Sequence, residues 1–421
     1  MSSPSGSIPR SDDSDDRDSS SVYSETSTLV WDHEAFDTFQ SRVLDLAVTT
    51  LWPGTAVDDI TVERLRGGGY NRIIGLSRAH DDGQTHYILR IPRMDSARIE
   101  NEVATLRFIQ QRTRIPVPEV VAFDDTDDNC IGSPYTLQKR VPGTRLLSLF
   151  PTMSHQERLK IAIELGGIYK QMLAVRSATP GIFVPSIETP PTASGFGVAP
   201  LQLADPILLG QLQAPRAIDT QLVKPYREGA PAVSVYEMLT TLFRAERERL
   251  LGRNNKDTFG TKLIDRFSRM ASDLEAEGWL VNDRYTIAHW DLAPRNILVN
   301  PSGDQQAPLI TGILDWDCAI LGPMFMTCEP PLWIWAWSDD DEDEDERIAN
   351  DDPATPEARE LKKVFENTAG PDYLRYAYQP AYRLARHLVR FAIEGVHSSQ
   401  GLQGAEAMLD EWAEIRKEGG Q

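Results

Sequence analysis

The stretch Ile287-Ala288-His289-Trp290-Asp291-Leu292-Ala293-Pro294-Arg295-Asn296-Ile297-Leu298-Val299, followed after a polar turn by Gly312-Ile313-Leu314-Asp315-Trp316-Asp317, decides the reading of this chain. Short apolar runs at 285–288, 297–300 and 309–314 are bounded by turn residues and predict three strands. The loop between the first two carries Asp291 and Asn296, five residues apart, and the third run ends on Asp315. Chain returning across such a loop brings a carboxylate, an amide oxygen and a second carboxylate to one cleft. Oxygen donors of this kind suit a hard divalent cation that keeps part of its water.

The His-x-Asp-x-x-x-x-Asn spacing is that of kinase catalytic loops. Phosphoryl transfer needs a carboxylate that orients the attacking hydroxyl and accepts its proton, together with oxygen ligands for the magnesium on the triphosphate. Asp291 suits the first task, and Asn296 and Asp315 the second. His289 reads as a brace for the loop rather than a participant in the chemistry. A polar loop with structural Asp and Asn is the bland alternative; the third strand ending in Asp315 and a glycine turn upstream argue against it.

On these residues the chain resembles the aminoglycoside phosphotransferase and choline kinase-like family over about residues 55–330, with His289–Val299 and the Gly312–Asp317 motif as the most telling matches. The resemblance implies an α+β, protein-kinase-like two-lobed fold with a small antiparallel-sheet N-lobe and a mainly helical C-lobe. It implies an ATP- and Mg2+-dependent phosphotransferase that moves the γ-phosphate to a hydroxyl of a small molecule, with Asp291 as base and Asn296 and Asp315 on magnesium. Gly67-Gly68-Gly69-Tyr70-Asn71 is similar to the family's glycine-rich turn, whose exposed amides approach phosphate; a plain hairpin turn would use the same glycines. Arg90, in Ile88-Leu89-Arg90-Ile91, takes the place of the basic residue on the α- and β-phosphates, with Glu102 on the next helix as its partner and Glu100 as the other candidate. Gln138 and Arg140, in the segment 135–143, stand where the family's hinge meets adenine.

Two positions depart from the family pattern. Arg90 replaces the expected lysine, and a planar guanidinium is not the geometric equivalent of an ammonium. Trp290 fills a place often held by a small residue. The first departure keeps open a second reading, a catalytically weak pseudokinase that binds nucleotide or a partner. A protein kinase is a third, weakened by the direct run from Asp317 to Gly322-Pro323 with no recognisable activation segment.

Periodicity supplies the organisation. Residues 1–28 form a Ser/Asp-rich tail with too little apolar surface to order. An N-lobe over 29–141 starts with a helix capped by Asp32, continues as strands at 60–65, 70–77 and 86–91, and holds an inserted helix at 96–111 and strands at 119–123 and 135–139. The C-lobe, 142–421, contains the catalytic loop 289–296, the metal motif 315–317 and an acidic loop 338–352. Ser154 and Glu157 at capping-box spacing open its first long helix. Further helices are expected at 233–250, 262–277, 373–394 and 405–417, while 178–230 shows no clear period.

Bulk properties exclude several classes. The formal charge of −20 falls to −7 without the five aspartates of 12–18 and the eight consecutive acids of 339–346. Neither value suits a phosphate-backbone partner, so no nucleic acid is expected. Three cysteines give neither a metal-ligand spacing nor an even disulfide set, pointing to a reducing compartment. The N-terminus lacks a basic start and apolar run, and no apolar stretch reaches the roughly 18 residues of a membrane span. The expectation is therefore a cytoplasmic protein with no membrane, and the resemblance implies a hydroxylated small molecule as its partner. Trp333, Trp335 and Trp337 read as core before cation pocket, the acids of 339–346 as a solvated loop, and His387 as an ordinary helix residue.

Overall fold

Apolar residues at three- and four-residue steps place Phe39, Val43 and Leu46 on the buried face of α1 (Phe36–Leu46), and Ala47 extends that face into a turn of π-helix (Ala47–Leu51). The structure is a computed structural model that describes residues 36–65, 71–80, 83–93, 99–185, 196–201, 220–226, 228, 233–252, 258–281, 284–301, 307–337 and 346–419. The expected tail 1–28, Asp32, the glycine turn Gly67–Gly69 and the acids 339–345 lie outside these residues.

The face of α1 closes one side of a five-stranded antiparallel sheet of order β1-β2-β3-β5-β4. Its strands are β1 (Ile60–Leu65), β2 (Asn71–His80), β3 (Gly83–Pro92), β4 (Val120–Asp124) and β5 (Tyr135–Lys139). Ile74, Leu76, Leu89, Ile91 and Leu137 supply its core, with α1 and Trp52. Between β3 and β4 runs α2 (Ile99–Arg112).

The chain leaves this sheet through Gly143, whose φ of +132° suits glycine. A Cβ there would lie 2.7 Å from Thr311 Oγ1 and 2.8 Å from the Val299 carbonyl. β6 (Thr144–Arg145) follows and pairs with β11 (Ile297–Val299), which pairs with β12 (Ile310–Ile313). A second small sheet joins β10 (Tyr285–Ala288) to β13 (Ile320–Pro323). The two sheets carry the loop 289–296 and the segment 314–319 between their strands.

Helices make up most of the rest: α3 (His155–Ala174), α4 (Val235–Gly252), α5 (Thr258–Ala276), α6 (Pro356–Ala369), α7 (Pro371–Ala377), α8 (Pro380–Glu394) and α9 (Ser399–Gly419). The capping box of α3 forms as its spacing predicts: Glu157 N–H donates to Ser154 Oγ at 3.3 Å, and Ser154 N–H donates to the Glu157 carboxylate at 2.8 Å. The architecture is the two-lobed α+β, protein-kinase-like one that the resemblance implies, with one core under the sheet and a larger one among the helices.

Three segments depart from the periodicity reading. The closing helix expected at 373–394 is two, α7 and α8, because Pro380 disfavours helical backbone at the residue before it and cannot donate to the ladder. Helix α6, opened by the Thr355 cap with Pro356 in its first turn, was not expected. The aperiodic 178–230 contains a three-stranded antiparallel sheet, β7 (Ile182–Pro185), β8 (Phe196–Ala199) and β9 (Lys224–Pro225). Its Phe183 stacks on Phe108 of α2 at 4.1 Å between ring centroids, and Phe196 and Tyr226 meet the same ring edge-on.

Candidate active site

Antiparallel register puts Arg90 of β3 opposite Thr136 of β5, and Ile88 opposite Gln138, so Arg90, Thr136 and Gln138 share one face of the sheet. Helix α2 lies along that face. Its Glu102, Leu106 and Ile109, spaced by four and three residues, are all buried. Glu102 Oε1 lies 3.5 Å from Arg90 Nη2, so the partner of Arg90 is Glu102 and not Glu100. The same Nη2 donates to Asp315 Oδ1 at 3.0 Å and stands 3.9 Å from Asp317 Oδ2. One guanidinium thus joins the sheet, the inserted helix and the segment after β12.

Charge follows from this geometry. Burial works against the Arg90 cation, but the carboxylates of Glu102, Asp315 and Asp317 outweigh it and keep the group firmly protonated. Burial pushes the Glu102 carboxyl above its usual range, with Arg90 opposing. Asp317 is also raised, first by burial and then by Asp315 beside it. Arg90 Nε and Thr136 Oγ1 are buried without a hydrogen-bond partner. Orphaned buried donors are costly, and a site that keeps them invites a ligand with acceptor oxygens.

The loop after β10 supplies the second half. Asn296 is buried, and its Nδ2 donates to the Asp291 carbonyl and to Asp291 Oδ2, both at 2.9 Å. Arg295 donates to Asp291 Oδ1 at 2.5 Å, so the carboxylate is held at both oxygens. With Nδ2 committed, Asn296 keeps Oδ1 as its metal-type donor. Asn296 also ties the loop to the next motif, since Leu314 N–H donates to the Asn296 carbonyl at 2.8 Å.

His289 braces both segments. Its Nε2 meets the Leu314 carbonyl at 2.7 Å, and Nδ1 accepts from Asp291 N–H at 3.3 Å. Only a neutral ring with its proton on Nε2 satisfies both contacts. Burial, the largest influence, holds the imidazole below its ordinary pKa and so keeps that form. Trp316 packs edge-on against the ring at 4.5 Å and donates from Nε1 to the Ile313 carbonyl at 3.0 Å. Among the described residues, the non-glycine residues with left-handed backbone are Trp290, φ +74°, and Asp315, φ +67°. Strain of this kind collects at functional sites, where surrounding structure can hold it.

The structure brings together Asp291 with Asn296, and Arg90 with Glu102 and Asp315. Gln138 is buried on the face shared with Arg90. Arg140 is not drawn to this cluster; it is exposed, with its guanidinium 3.5 Å from Glu63 of β1 and its N–H donating to the His86 carbonyl. A cavity of about 350 Å³ is lined by Phe150, Trp335 and Trp337 with His155, Arg158 and Thr355, but by no residue of the Asp291–Asp315 constellation. Trp333 and Trp335 are buried in the larger core, as their bland reading holds.

The solvated reading of the acidic run fails at its last residue. Glu346 accepts from Arg386 Nε at 3.0 Å and Nη2 at 2.5 Å, and His387 stands 3.5 Å away. Although burial opposes ionisation, Arg386 and His387 hold Glu346 down to about 2. His387 is accordingly more than an ordinary helix residue. Sequence reading also missed α8 as a neighbour of the loop: Trp290 Nε1 donates to Glu394 Oε1 at 3.0 Å, and Arg390 Nη2 reaches the Trp290 carbonyl at 3.4 Å.

Residues 61–361 match the model of the phosphotransferase enzyme family. The chain belongs to that family. A subtelomeric hrmA-associated cluster protein of Aspergillus fumigatus is 24% identical over 318 residues, 64% of this chain and 60% of the relative. The chain therefore spans about three fifths of the length of that curated relative. Altered inheritance of mitochondria protein 9 of Candida tropicalis is 37% identical over 73 residues, 16% of this chain and 12% of the relative. Among solved structures, a streptomycin–ATP–APH(2")-IIa ternary complex has a TM-score of 0.46 at 11% identity, covering 88% of this chain and 96% of that one. Choline kinase from Cryptosporidium parvum has a TM-score of 0.42 at 12% identity, covering 90% of this chain and 95% of that one. Among the described residues, no helix is long and apolar enough to cross a membrane.

Proposed function

We propose that this family member transfers the γ-phosphoryl group of Mg·ATP to a hydroxyl of a small molecule. The observation that carries the reading is the linked set Asp291, Asn296, Asp315 and Arg90. Arg90 gathers the carboxylates of Glu102, Asp315 and Asp317, Arg295 pairs with Asp291, and Asp291 and Asp315 both act on His289, so acids outnumber guanidiniums here. That excess of negative charge suits a divalent cation. Among the described residues no group of three His, Cys, Asp or Glu side chains forms a ready metal cage. Magnesium tolerates this, since it keeps waters and takes phosphate oxygens beside one or two protein ligands.

In this reading Asn296 Oδ1 and the partly exposed Asp315 carboxylate would hold magnesium. When bound, the metal would neutralise charge on the triphosphate. Arg90 faces the phosphates, its orphaned Nε ready to donate, and Glu102 holds the guanidinium in place. The chain leaving β5 around Gln138 and Arg140 would meet adenine, and the Gly67–Gly69 turn the phosphates. Asp291, fixed by Asn296 and Arg295, orients the acceptor hydroxyl and takes its proton. A base so placed contributes about 10²–10⁴-fold, so Asp291→Asn should cut Mg·ATP turnover by that factor while calorimetric nucleotide affinity stays within about twofold. Equal turnover in the two proteins would sink the reading.

A second reading is favoured by the 3.0 Å contact of Arg90 with Asp315, which sets the phosphate-side cation on the metal-side carboxylate. A pseudokinase that binds nucleotide without efficient transfer would use the site this way. Arg90→Lys separates the two: a rate raised from a negligible level supports the pseudokinase, and robust wild-type turnover removes it.

A further inference from the structure

Trp290 precedes the proposed base and sits at φ +74°, a backbone conformation that is costly for a non-glycine residue. The direction in which Asp291 leaves the chain depends on that backbone angle. If Trp290 relaxed to negative φ, the following peptide would rotate and the 3.3 Å contact of Asp291 N–H with His289 Nδ1 would be lost. Something must hold the residue there, and its own backbone does not.

Two residues of α8, one turn apart, meet it. Glu394 takes the indole N–H at 3.0 Å, and Arg390 approaches the Trp290 carbonyl at 3.4 Å with its guanidinium 5.8 Å from the indole centroid. Arg390 is itself set by Glu329, 2.6 Å away. Ring and carbonyl are thus held from the same helix, about 100 residues distant in sequence. Among the described residues, no hydrogen bond or ion pair joins Glu394 to Arg90, Glu102, Asn296 or Asp315. We propose that Glu394 and Arg390 are positioning residues for phosphoryl transfer, acting through Trp290 to aim Asp291. This inference rests on the phosphotransferase reading above.

Glycine adopts positive φ freely, so the clamp should matter only while Trp290 is present. The test is a cycle of Glu394→Ala and Trp290→Gly, singly and together, read as phosphate release from Mg·ATP with water as acceptor and as nucleotide affinity by calorimetry. Glu394→Ala alone should lower turnover about tenfold and leave nucleotide affinity within about twofold. Glu394→Gln, which still accepts the indole N–H, should keep more than half the activity. In the Trp290→Gly background, Glu394→Ala should change turnover less than twofold. The same cycle in chemical denaturation needs no turnover: Glu394→Ala should lower the midpoint in the wild-type background and not in Trp290→Gly. Equal effects in both backgrounds, or a parallel loss of nucleotide affinity, overturn the clamp. Asp291→Asn separates the failures: if it abolishes turnover while Glu394→Ala does nothing, the clamp alone is wrong, and if it turns over like wild type, the phosphotransferase reading falls and the clamp with it.

Discussion

Replacing Arg90 by methionine keeps an unbranched aliphatic stem and removes the charge. Of the three carboxylates around Arg90, Asp315 and Asp317 have side chains 41% and 35% exposed and can be screened by water, but the Glu102 side chain is only 8% exposed. The loss therefore falls on Glu102. Breaking a buried pair costs about 3–5 kcal/mol because the remaining charge is stranded, a large share of the roughly 5–15 kcal/mol that holds a domain together. The stranded carboxyl has one escape, to take up a proton. Burial already pushes the Glu102 pKa up with Arg90 opposing, so removing Arg90 raises it further. A carboxyl whose folded pKa lies above its unfolded one contributes stability below the unfolded value that is lost as pH rises through the folded value. The deficit of Arg90→Met should therefore be larger at pH 8 than at pH 5, shrinking as pH falls toward the ordinary carboxyl range by at most about 1.4 kcal/mol per pH unit. Urea denaturation of both proteins at the two pH values measures it, and Arg90→Met/Glu102→Gln should recover most of the loss. A deficit below about 1 kcal/mol, or one that is the same at both pH values, would show that Arg90 is not the counter-charge of a buried acid.

Three further outcomes follow from the same contacts. His289 is held neutral below its ordinary pKa, so the folded protein binds fewer protons than the unfolded chain once pH falls below about 6.5; stability should decline from there downward, and His289→Gln should flatten that limb of a denaturation-against-pH curve. Arg386 is buried among Glu346 and the carbonyls of Phe325, Tyr376 and Ala377, so Arg386→Met should cost about 3–5 kcal/mol by urea denaturation at neutral pH. Because Glu346 is held at about 2, the pair's contribution is complete above about pH 4.5 and fades as pH falls toward 2. Ser154→Ala removes the hydroxyl of the α3 capping box and should cost about 1 kcal/mol, read as a lower denaturation midpoint.

The candidate loop was legible because its residues stand at a fixed local spacing: Asp291, Asn296 and Asp315 could be singled out within 25 residues of chain. The inward face of α2 was legible for a similar reason, since Glu102, Leu106 and Ile109 announce it by helical period. What could not be read depends on partners distant in sequence. Arg386, His387, Arg390 and Glu394 look like the charges of any amphipathic helix until Glu346 and Trp290 meet them. The strands β7–β9 hold too few residues each for a period to emerge, and the aromatic cluster that fixes them is completed by Phe108 of α2. Identity alone could not reveal that Arg140 turns to Glu63.

The anchoring of α2 has a mechanical consequence. Its Ala104, Leu106, Phe108 and Ile109 are packed into the larger core, whereas the strand bearing Arg90 belongs to the smaller one. The helix is thus a fixture of the C-lobe that reaches across to the sheet. The 3.5 Å contact of Arg90 with Glu102 and the 3.0 Å contact with Asp315 therefore both straddle the same seam. Any tilt of the sheet against the larger body strains or lengthens both at once, which makes a single guanidinium the gauge of how far the two bodies stand apart.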